Sequence, residues 1–191
     1  MRRFAPFLVA AALAVMTIAA SGVVIARRPN PNVTDWRWII GTTWIVPKTN
    51  LPAVSFDPTT QVISKIKDQT VYQVTGYRDG YFWGPTAAKF GNNPIACKSM
   101  VGSITPQGQV MLLFTQTLGN GQTLFNQGFG QMIKQNGEWT MQNQTGTETM
   151  AHWAYMVQSK PGDATWTSLP GVGMSVEEFM SGCPAGPQPA K

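Results

Sequence analysis

The sequence predicts an all-β fold, an antiparallel barrel of about eight strands with a short C-terminal helix. Three observations carry this. Apolar runs rich in Val, Ile, Thr and aromatic residues recur at short spacing along the 191 residues. Turn dipeptides separate them, among them Asp79-Gly80 and Asn136-Gly137, which favour tight hairpins because Gly, Asn and Asp tolerate positive φ. No strand–helix–strand alternation and no exact internal repeat occurs, which sets aside the parallel α/β folds. A sandwich fits the same spacing, and the barrel is the preferred reading.

The chain begins Met1-Arg2-Arg3, then runs apolar from Phe4 to about Ala20, with small residues from Ala19 to Gly22. This is the three-part pattern of a secretory signal, read here over 1–26. Val23, Val24 and Ile25 extend the run, so an uncleaved anchor is the alternative. Either way the remainder is expected to be exported, periplasmic or secreted, and to meet a membrane only through that segment if it stays uncleaved. Residues 27–35 read as a Pro/Asn linker, 36–183 as a single β domain and 184–191 as a flexible tail.

Trp36 to Val46 is the first predicted strand, with Gly41 marking a bend or bulge. Ala53 to Phe56 and Val62 to Ile66 flank a turn at Asp57-Pro58. Val71 to Lys89 is the best-specified hairpin, with aromatics on both arms. Two registers fit its tip: a two-residue loop sets Tyr77 against Phe82, and a three-residue loop sets it against Tyr81. Met100–Ile104 and Val110–Thr115 form the next hairpin, Leu124–Ile133 and Trp139–Asn143 another. Thr149 to Gln158 is the last strand. Ser175-Val176-Glu177-Glu178 reads as a capping box, opening a helix of about two turns that ends at Gly182.

Charged residues make up 12 % of the chain, about half the usual ~25 %. The formal charge of +5 is scattered, without the clustered basic stripe that nucleic acid requires. Cys97 and Cys183 form an isolated pair, read as a disulfide in an oxidising compartment. Two distant cysteines and one histidine make no metal-ligand spacing. No Gly-x-Ser-x-Gly elbow, phosphate loop or carboxylate pair is present. No catalytic residue, metal or cofactor is assigned, and an enzyme is not the preferred reading.

The aromatics remain. They either fill the core or line a pocket for a small or apolar ligand, in which apolar walls surround a few polar groups. The candidates for such a pocket are Tyr72, Tyr81, Trp83, Phe129, Trp139, His152 and Tyr155. The alternative is an envelope or secreted interaction module with a filled core and an exposed aromatic patch.

Gly41-Thr42-Thr43-Trp44 resembles the Gly-x-Trp opening of lipocalin-type and avidin-type (calycin-like) barrels, with one extra residue between Gly and Trp. The resemblance implies an up-and-down barrel holding a small ligand. The stretches Asp68–Gly84 and Pro170–Cys183 are similar to uncharacterised exported bacterial proteins, which implies a family and no site.

Overall fold

The computed structural model describes residues 34–48 and 52–188. The predicted signal or anchor, most of the linker and the last three residues of the tail lie outside the described residues.

Among the described residues eleven antiparallel strands follow one another: β1 (Thr43–Ile45), β2 (Ala53–Asp57), β3 (Val62–Ile66), β4 (Asp68–Gln73), β5 (Gly76–Arg78), β6 (Tyr81–Phe90), β7 (Ala96–Ile104), β8 (Gln109–Thr117), β9 (Thr123–Gln135), β10 (Glu138–Gly146) and β11 (Met150–Ser159). Eight close a barrel in the order β1-β4-β6-β7-β8-β9-β10-β11, and β1 completes the ring by pairing with both β4 and β11. From β6 onward each strand neighbours the next in sequence, the up-and-down arrangement. β2 and β3 form a hairpin attached to the start of β11.

Strand alternation decides what fills the ring. On β8, Val110, Leu112 and Phe114 are buried while Gln109, Met111 and Leu113 are exposed. Inward-facing Trp44, Phe82, Met100, Leu112, Met141 and Met156 are fully buried in one cluster. Each such side chain contributes about 1.5–3 kcal/mol of burial. A second cluster lies outside the wall, where Ile45, Val71 and Ala87 meet Leu169, Val176, Phe179 and Met180 of the C-terminal segment. That segment carries α1 (Ala164–Thr167) and α2 (Val176–Met180). The Ser175 side chain accepts a hydrogen bond from the Glu178 N–H (3.0 Å), as the capping box predicts. The Cys97–Cys183 disulfide fastens α2 to β7.

The tip register is the two-residue one, with Tyr77 opposite Phe82. Asp79 and Gly80 both have positive φ (52° and 88°), as a mirror-image turn requires. Across the same hairpin Gly84 is obligatory for another reason. A Cβ there would stand 1.8 Å from the Gln73 carbonyl oxygen, so the backbones approach where β4 breaks into β5.

One expectation is corrected. Trp36 to Val46 is not one strand: Trp36–Ile39 is a 3₁₀ turn, and only Thr43–Ile45 is extended. The Asp35 carboxylate caps the turn by accepting from the Arg37 N–H (3.1 Å), and Gly41 reverses the chain with φ 77°. The turn presses Trp36 into one end of the barrel. Its Nε1 donates to the Thr105 carbonyl (2.9 Å), and its ring meets Trp139 edge-on at 4.9 Å. That end is plugged.

Candidate functional site

The other end is organised by how soon β1 stops. β1 pairs with Val157–Ser159 of β11, and β2 pairs with Met150 and Ala151. Among the described residues no ladder partner lies between them on that edge of β11. Facing this gap is the start of β4, beyond the last backbone bond from Val46 N–H to the Thr70 carbonyl (3.2 Å). The wall therefore has a seam, and side chains close it. Inside, His152 Nε2 lies 3.2 Å from Asp68 Oδ2, while the Thr70 hydroxyl donates to Asp68 Oδ1 (2.9 Å). Outside, Gln69 donates to the Val46 carbonyl (3.3 Å) and accepts from the Gly171 N–H (2.7 Å).

Beside the seam a small cavity of about 40 Å³ opens at this end of the barrel. Tyr72, Ala88, Phe90, Phe114 and Met150 form its apolar walls. Thr70, Thr86, Lys98, Asn126, Thr145 and His152 supply polar groups. Each comes from a different stretch of the ring, brought to one place because all share the inward phase of their strands.

Burial governs the electrostatics. It pushes the Asp68 carboxyl up to about 7, with the Thr70 hydrogen bond pulling the other way. It raises the Tyr72 phenol, which the nearby Asp68 charge raises further and the Asn143 amide lowers. It lowers the Lys98 amine. The Asn126 amide is best oriented with its oxygen towards Lys98 Nζ (2.7 Å) and its nitrogen towards the Phe125 carbonyl (3.1 Å).

Two of the seven predicted pocket residues, Tyr72 and His152, line this cavity. The others lie elsewhere. Tyr81 and Phe129 stand exposed on the outer face. Half-buried Trp83 covers Gly76, where a Cβ would come within 2.3 Å of the indole. Trp139 packs in the plugged end. Tyr155 lies beside Trp153, with Lys48 Nζ 5.9 Å from its ring centroid. The other polar lining residues, Lys98 and Asn126 above all, are not among the predicted ones. Their signal was strand phase: Lys98 is two residues from Met100, and Asp68 and Thr70 are two-residue steps from Tyr72.

No family model, curated protein or solved structure matches this chain. The described residues hold no helix long and apolar enough to cross a membrane, and no cluster of three His, Cys, Asp or Glu side chains placed to hold a metal ion.

Proposed function

We propose that this protein is an exported binding barrel that takes a small ligand with an apolar body at its open end. The observation that carries the reading is the cavity between Tyr72, Phe114 and His152. Apolar walls with a few convergent polar groups are the composition of small-molecule sites. The plugged end and the packed middle leave this end as the place where the barrel keeps internal space. The disulfide fits an oxidising compartment.

Filling the space tests it. Ala88 is buried on the cavity wall, and Ala88→Trp is expected to weaken binding of 1-hexanol by roughly tenfold or more, read by ligand-observed NMR. Far-UV circular dichroism should stay that of a β protein. Equal binding by both proteins, or none by wild type, would sink the reading.

A second reading rests on the outer face. Tyr81, Met111, Phe129 and Trp153 are all about half exposed or more. They lie on one row across the sheet, through Ser103 and Gln144. A belt of this kind is how interaction surfaces differ from ordinary surface. The double variant Phe129→Ser, Trp153→Ser is expected to lose co-purifying envelope proteins in a pull-down without a fall in melting temperature. Identical recovery would set this reading aside.

A further inference from the structure

We infer that the cavity takes a small monocarboxylate, its anionic group held at the Lys98 ammonium and its apolar body laid between Tyr72, Ala88 and Phe114. The inference rests on the cavity being a ligand site and adds the chemistry of the ligand.

Lys98 stands directly opposite Thr86 in the β6–β7 ladder, on the inward phase that Met100 continues, and both line the cavity. It is half-buried. Its partner in the protein is neutral, the Asn126 amide oxygen. The ion pairs among the described residues are Asp35–Arg37 and Asp79–Arg78, and Asp68 lies against His152, so no described carboxylate is placed to balance Lys98. Asp68, the acid inside the barrel, is taken up by His152 and Thr70. Glu148 lines the groove at the rim that Lys98 also borders, yet makes no ion pair with it.

Withdrawing an ammonium from water costs free energy that only an anion or several good acceptors restore. One amide oxygen restores part of it. A ligand carboxylate would complete the shell, with the Thr86 hydroxyl beside it as a donor, and the pair would be charge-assisted in a partly dry site. Burial lowers the free amine's basicity, the direction expected for a cation lacking its counter-ion. The apolar walls argue for a carboxylate with a hydrocarbon body rather than an inorganic anion.

The test compares hexanoate with 1-hexanol at pH 7 by ligand-observed NMR, using the wild type, Lys98→Met and Lys98→Arg. Wild type should bind hexanoate roughly tenfold or more tightly than hexanol. Lys98→Met should bring hexanoate down to the hexanol level and leave hexanol unchanged, while Lys98→Arg should keep the preference. Melting curves of both variants establish that they are folded. Equal affinities, or a preference for hexanoate that survives Lys98→Met, would overturn the inference while the cavity reading stands. Binding of neither compound would overturn both.

Discussion

Asp68 is nearly out of contact with solvent, at 1 % exposure, and its titration ties the site to the stability of the fold. The carboxyl ionises near 3.8 in the unfolded chain and near 7 in the folded one. Between those values the unfolded state has released a proton that the folded state keeps, so raising the pH favours unfolding. The contribution is present in full below about pH 4 and is lost as pH rises through about 7. A shift of this size caps the loss at about 4 kcal/mol. The Thr70 hydrogen bond opposes it, and Tyr72, its phenol raised by burial, stays neutral across the range. Asp68→Asn should flatten the fall in stability between pH 5 and pH 8, measured by urea unfolding. An unchanged slope would mean that Asp68 enters the fold already ionised and paired with His152.

At the scale of elements, turn chemistry was the most legible feature. Asp79-Gly80 and Asn136-Gly137 name their hairpins because few residues adopt positive φ there at low cost. Cys97 and Cys183 name their bond by being the only two cysteines. The opening stretch departs from its predicted strand because Trp, Ile and Thr are strand-prone wherever they stand, whereas the local Asp35 cap and the packing of Trp36 against Trp139 hold a 3₁₀ turn there. The site was legible only in part. Aromatic content singled out Tyr72 but also Tyr81 and Phe129, which point the other way. What separates them is the phase of each strand, and phase follows from register around a closed ring, which no short stretch reports. Lys98 escaped notice for the same reason, since a lysine in a strand is ordinarily a solvated one.

On the scale of the whole molecule, the barrel interior and the layer between its wall and the C-terminal segment are two distinct clusters, and the disulfide ties the end of that segment to β7. α2 spans five residues, too few to be helical alone, and is held by the cluster around Phe179 and by the disulfide. Cys97 and Cys183 are 86 residues apart, and closing a loop of that size is worth about 4–5 kcal/mol on chain-entropy grounds. Replacing both cysteines with serine should lower stability by about that amount. The amides of 176–183 should then exchange faster than those of β7 and β8. Retained protection of α2 in that variant would show that its packing suffices.

The brevity of β1 also bears on the order in which the chain folds. The hairpins from β6 to β11 can form from neighbours in sequence, but β1 must find β11, the far end of the same barrel. A contact of that span comes late, because the entropy of closing the loop is lost before the pairing returns it. Until then β4 and β11 show open edges, the state in which a β chain is most exposed to pairing with another molecule. Three residues, Thr43 to Ile45, thus cover both of those edges and turn an open sheet into a closed barrel.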